Sequence, residues 1–78
     1  MELIKIKSSN IEQVGFEENV KISFNQEPMN VLRVVFNSGY TYDYYKVPKE
    51  IYESLLEAES AGMYFHKNIK NKYAYEKK

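Results

Sequence analysis

An α+β domain, with a small antiparallel β-sheet of three to five strands covered by one main helix and a second short helix, is the architecture this sequence predicts. Three observations carry it. Several short runs alternate apolar with polar residues, the period of half-buried strands. Two of these runs, Val31 to Phe36 and Tyr40 to Tyr45, are joined by Asn37-Ser38-Gly39, a composition suited to a tight turn. From Pro48 onward the apolar spacing changes from that of a strand to that of a helix. With 78 residues, the chain has room for one domain, 1–78, near the size at which a single core holds without staples.

The elements follow in order. Ile4 and Ile6 alternate with Lys5 and Lys7, the pattern of a half-exposed strand over Leu3 to Lys7. Ser8-Ser9-Asn10 interrupts it, because short polar side chains bond to nearby backbone and favour turns; Ile11 and Val14 then return to the core. Gly15 marks a turn or a close backbone approach. Val20-Lys21-Ile22-Ser23-Phe24 alternates and predicts a strand. Asn25 to Asn30 reads as a hairpin connection, since Pro28 donates no ladder hydrogen bond and holds Glu27 extended. In Val31 to Phe36, Leu32, Val34 and Phe36 share one face while Val31 and Val35 make the other partly apolar, as expected of a central strand.

Pro48 suits the first turn of a helix, with Glu50 and Glu53 near its positive end. Ile51, Tyr52, Leu55 and Leu56 form its buried stripe, and the helix is expected to run from Pro48 to Ala61. Gly62 closes or kinks it. Met63 to Ile69 predicts a second short helix with Phe65 and Ile69 inward, and Tyr73-Ala74-Tyr75 a last short strand before a frayed Glu76-Lys77-Lys78.

Composition excludes several classes of chemistry. Without cysteine there is neither a disulfide nor a thiolate metal site, and with one histidine and one aspartate no metal cage or metal cofactor is expected. The three glycines lie singly, so there is no Gly-rich phosphate loop. Ser8 or Ser60 with His66 and Asp43 supplies the residue types of a hydrolase, yet no serine sits in a nucleophile elbow; no catalytic residue is assigned, and the chain reads as a non-enzyme with no cofactor. His66 reads as a helix-surface or partly packed side chain. The eleven basic and eleven acidic residues cancel, so no whole-protein field draws the chain to nucleic acid or membrane. Acid concentrates at Glu50, Glu53, Glu57 and Glu59, and base at Lys67, Lys70, Lys72, Lys77 and Lys78, which predicts a basic edge on a neutral body. No apolar run approaches a membrane span and the amino-terminal residues lack a signal-peptide core, so a cytoplasmic location is expected. The supply of Asn, Lys, Tyr and Ile suits an A+T-rich bacterial or phage genome.

The candidate site is the tyrosine strand. Tyr40, Tyr42 and Tyr44 fall on one face and Thr41, Asp43 and Tyr45 on the other. Such a row either packs beneath a helix or lies open as a platform for flat ligands. In the second case Tyr40, Tyr42 and Tyr44 stack bases, with Tyr64, Tyr73 and Tyr75 as further candidates, and Lys67, Lys70 and Lys72 contact phosphates.

The order of elements resembles the KTSC domain, a small module found at the carboxyl end of some lysyl-tRNA synthetases and as a stand-alone protein. The matching pieces are Ser8-Ser9-Asn10-Ile11 with Val14-Gly15-Phe16; Leu32, Val34 and Phe36 with Gly39; Tyr42-Asp43-Tyr44; Val47-Pro48; and Ala58-Glu59-Ser60-Ala61-Gly62-Met63-Tyr64-Phe65. Two departures stand out. The segment between Gly15 and Leu32 is longer than usual, as though Val20 to Pro28 inserted a strand or hairpin, and His66 stands where an Asn commonly follows the Phe. The resemblance implies no catalysed reaction, and attachment to a synthetase suggests RNA. Three readings of the site therefore stay open: a module for single-stranded RNA, a protein-interaction or homo-oligomeric module, and a phage-encoded binder that sequesters a small nucleotide.

Overall fold

The computed structural model describes residues 1–78. Its five strands are β1 (Leu3–Lys5), β2 (Ile11–Val20), β3 (Met29–Phe36), β4 (Thr41–Tyr45) and β5 (Tyr75–Lys77), and its two helices, α1 (Lys49–Glu57) and α2 (Ala61–Asn68), lie in sequence between β4 and β5. The strands form one antiparallel sheet in the order β1-β2-β3-β4-β5. β3 is central, as its two apolar faces require: Leu32 and Val34 are fully buried on one side, and Val31 is buried on the other.

Register places the side chains. Val14, Val34 and Tyr42 lie opposite one another across β2, β3 and β4, as do Phe16, Leu32 and Tyr44. Strand residues directly opposite share a face, so these six line the side that the helices cover. Leu55 of α1, Ala61 and Phe65 of α2, and Ile69 just beyond α2 complete the core with Ile11 and Val47. Phe16 stacks on Tyr52 of α1, and Phe65 meets Phe36 and Tyr44 edge-on. Each fully buried aliphatic chain contributes about 1.5–3 kcal/mol by leaving water. No helix is long and apolar enough to cross a membrane.

Several expectations are corrected. Val20 to Phe24 is not a strand: β2 ends at Val20, after a register shift between Glu17 and Val20 with Asn19 in the left-handed region (φ 58°), and the chain then turns. Ile22 and Phe24 find no partner strand, and Phe24 is 89% exposed. The lengthened segment is thus a longer hairpin loop. Gly15 is not a turn but the middle of β2, where its other predicted role holds: a Cβ there would lie 2.8 Å from the carbonyl oxygen of Glu2. The main helix stops at Glu57, not Ala61, because Ala58 turns extended (ψ 141°), and Gly62 lies in the first turn of α2. Leu56, assigned to the buried stripe, is 39% exposed. Finally, the last strand runs over Tyr75–Lys77 instead of Tyr73 to Tyr75, so Glu76 and Lys77 are paired with β4 rather than frayed.

Candidate binding cleft

Three local structures with no sequence proximity meet at one edge of the covered face. The first is the turn before β2, fixed by Ser8, whose Oγ accepts from the backbone N–H of Asn10 (3.1 Å) and Ile11 (3.2 Å). The second is the β3–β4 turn, closed by Gly39 N–H donating to the Phe36 carbonyl (2.9 Å) with Gly39 at φ 100°, a conformation that only glycine adopts without strain. Asn37 ties the two turns together: its N–H donates to the Asn10 carbonyl (2.8 Å) and its Nδ2 to the Ser8 carbonyl (3.3 Å). The third is α2, whose N-cap Ser60 accepts from Met63 N–H. At its other end the Phe65 carbonyl accepts from both Ile69 and Lys70, which turns Lys70 back towards the sheet.

Between them lies an open cleft of about 530 Å³. Phe36, Tyr42, Tyr44 and Phe65 line it from the core side; Asn10, Asn37 and Ser38 supply amide and hydroxyl groups; Tyr40, His66 and Lys70 complete it. A shallower depression of about 260 Å³ shares Ser9, Asn10, Gly62 and His66 with it and adds Lys67. Gly62 lies at the meeting of α2 and the Asn10 turn, where a Cβ would stand 3.4 Å from Asn10 Nδ2, an ordinary contact. No carboxylate lines either depression.

The tyrosine row divides. Tyr44 is 3% exposed and belongs to the core; burial, with Tyr42 and Tyr75 nearby, pushes its phenol up to about 12. Tyr42 is half-buried, edge-on to Phe36 and nearly parallel to Tyr75, with ring centroids 5.5 Å apart and planes 8° from parallel. Tyr40 is exposed, with the Lys77 ammonium 3.9 Å from its ring centroid. The packed and open readings of the row therefore apply to its two different ends. Lys70 lines the main cleft and Lys67 the shallower one, whereas Lys72, in the turn beyond α2, lines neither. Ser9, Asn10, Phe36, Asn37, Ser38 and His66 were not singled out as site residues from sequence. The signal available for them was the turn composition of Ser8 to Asn10 and Asn37 to Gly39.

The opposite face of β4 is built differently. Asp43 is buried and accepts two hydrogen bonds from Arg33, from Nε at 2.7 Å and from Nη2 at 2.9 Å. This bond, more than any other influence, raises the Arg33 pKa above its ordinary value. Asp43 is thus committed to Arg33 across the sheet from His66, and Ser60 is committed to capping α2, so the Ser-His-Asp set is not assembled.

Some of the residues that carried the family resemblance reappear here, with Ser9, Asn10, Ile11, Phe36, Tyr42, Tyr44, Gly62 and Phe65 all lining the cleft. Residues 7–73 match the KTSC domain. The chain belongs to the KTSC family. It is similar to a lysine–tRNA ligase of Trichormus variabilis, 38% identical over 95% of this chain, but it spans only 12% of that ligase's length. A protein of Stutzerimonas stutzeri is 33% identical over 90% of this chain and 86% of its own. In three dimensions the fold is similar to the crystal structure of a KTSC domain protein from Yersinia pestis, with a TM-score of 0.81 and 26% identity over 99% of this chain and 96% of the other. KTSC domains therefore occur both as small proteins and within tRNA ligases.

Proposed function

We propose that this KTSC domain is a small non-catalytic module that binds single-stranded RNA in the cleft beside α2. One observation carries the reading: in a protein of balanced charge, a cleft with an aromatic lining holds His66 and Lys70, the depression adjoining it adds Lys67, and no carboxylate lines either. A base stacks against Tyr42 or Tyr40, over the buried Tyr44 ring. Asn10, Asn37 and Ser38 offer donors and acceptors to a base edge or a ribose hydroxyl. Lys67 and Lys70 meet the phosphates, with Lys72 further along the strand. Stacking contributes about 1–3 kcal/mol per base, so two bases and two or three phosphate contacts suffice for affinity of about micromolar. The presence of the domain within lysine–tRNA ligases supports RNA as the ligand class, by association. A cytoplasmic setting, bacterial or phage-directed, fits this role.

The test is fluorescence anisotropy of a short labelled single-stranded RNA, titrated at low and then physiological salt. Binding weakens as salt rises, and Lys67→Ala/Lys70→Ala flattens the logarithmic salt slope by about 1.4, the loss of two phosphate contacts on a single strand. No binding at protein concentrations of about 50 μM in low salt, where micromolar affinity would saturate the probe, rejects the reading. The cleft volume also suits a single nucleotide, which favours the small-nucleotide reading as a second one. Full displacement of the RNA by a mononucleotide at comparable concentration would select it.

A further inference from the structure

We infer that β5 is a displaceable cover whose Tyr75 ring holds the stacking position on Tyr42 that a base would take, so that RNA and β5 compete for the same aromatic row. The inference rests on the RNA reading and adds regulation to it.

The geometry at the row is that of a bound flat ligand. Tyr75 lies 5.5 Å from Tyr42 with the rings 8° from parallel, an offset stack of the kind a base makes on tyrosine. It lies 5.6 Å from Tyr44 as well, and Lys77 covers Tyr40 from the same strand. Two residues of one short strand, Tyr75 and Lys77, thus meet all three tyrosines of the row from the neighbouring edge of the sheet.

The cover is lightly held. β5 has three residues, all exposed, and none belongs to the buried core. Its flanks donate and accept two backbone bonds outside the regular ladder, Tyr45 N–H to the Ala74 carbonyl (2.9 Å) and Lys78 N–H to the Thr41 carbonyl (2.8 Å). On the other face it is fastened to β4 by Lys78 lying 3.9 Å from the Asp43 carboxylate and by the Tyr45 hydroxyl donating to Glu76 (3.0 Å), with Lys78 also paired to Glu76 of its own segment (2.9 Å). The exposed pairs among these stabilise little and weaken with salt. The tether is equally suited to movement. Ile69 is fully buried and anchors one end, while the segment that follows is largely exposed and carries Asn71 in the left-handed region (φ 65°). When β5 leaves, β4 keeps its pairing with β3 and its Arg33–Asp43 bond, so the cleft survives the opening.

A binding site open for a fraction of the time has its apparent affinity reduced by that fraction. Removing the Tyr75 ring therefore tightens RNA binding, and locking β5 weakens it. The chain has no cysteine, so Thr41→Cys/Lys78→Cys gives a reversible lock: these residues lie opposite in the extended register, about 5.5 Å apart at Cα for a hydrogen-bonded antiparallel pair, within disulfide reach. The experiment compares RNA anisotropy for the wild type, Tyr75→Ala, and the double-cysteine variant oxidised and then reduced, with folding checked by circular dichroism. In parallel, amide exchange at Tyr45 and Lys78 is followed with and without RNA. The expected result is affinity at least threefold tighter for Tyr75→Ala, at least threefold weaker for the oxidised lock with recovery on reduction, and faster exchange at Tyr45 and Lys78 when RNA is bound. Weaker binding by Tyr75→Ala would make Tyr75 part of the platform and overturn the inference. Unchanged affinity in the variant and the lock would overturn it while leaving the RNA reading in place. Absence of RNA binding in every form would overturn both.

Discussion

The two faces of β4 solve the same problem with opposite chemistry. On one face Tyr42 and Tyr44 are held by rings, with Phe36, Phe65 and Tyr75 around them. On the other, Asp43 is as deeply buried as Tyr44 but is held by a two-pronged bond to Arg33. The ring face excludes water and gains from burial; the ionic face gains only because each charge has its partner. Adjacent residues of one strand therefore differ in what a substitution removes.

The largest effect is expected at Tyr44. Tyr44→Ala opens a cavity beneath α2 and costs about 3–5 kcal/mol, enough to leave a domain of this size largely unfolded in urea or thermal melts. On the ionic face the two partners are expected to be unequal. Arg33→Ala strands a buried carboxylate with Lys78 as its remaining cation, 3.9 Å away, and costs about 2–3 kcal/mol. Asp43→Ala leaves an arginine that is one-third exposed and can rehydrate, so it costs less, about 1–2 kcal/mol. Equal losses in paired denaturant melts would mean that the burial of Asp43 is not what makes the bond matter.

A smaller effect separates the faces by pH. The Tyr44 phenol is pushed up to about 12 in the folded protein, against about 10 when unfolded, so the fold holds this proton more tightly. That contribution is complete below about pH 10 and is lost as pH rises from about 10 to about 12. Tyr44→Phe, which keeps the ring, should show a shallower alkaline loss of stability than the wild type. Smallest of all is Phe24→Ser, at a side chain that packs on nothing but the reach of Lys21; a change in melting free energy within about 0.5 kcal/mol is expected.

Much of the fold was legible because its signals are local. The change of period at Pro48, the Asn37-Ser38-Gly39 turn and the two-sided apolar character of β3 each state their structure within a few residues. Val20 to Phe24 misled because alternation shows only that a segment could have an apolar face, not that a neighbour exists to cover it; Ile22 and Phe24 have none. Ile11 to Val20 was hidden for the converse reason. Gly15 reads as a break, yet it is required inside a strand by the approach of Glu2. The helix break at Ala58 to Ser60 could have been read from Ser60 as an N-cap. The cleft was legible in part: Tyr40, Tyr42, Tyr44 and Lys70 line it, while Asn10, Asn37 and His66 come together only through the sheet and could not be joined by spacing.

The strand order follows the chain order, and this shapes how the domain assembles. β1 with β2 and β3 with β4 pair across short connections, and β2 with β3 across the longer loop of residues 21–28, so all three can form as local hairpins with modest loop-closure cost. β5 alone pairs across a long connection, the two helices that separate it from β4, and so carries the largest loop-closure cost of the five strands. The tyrosine row therefore takes its last ring from the strand whose pairing is entropically the most costly. The strand with the most to lose on arriving is also the one with the least to lose by leaving.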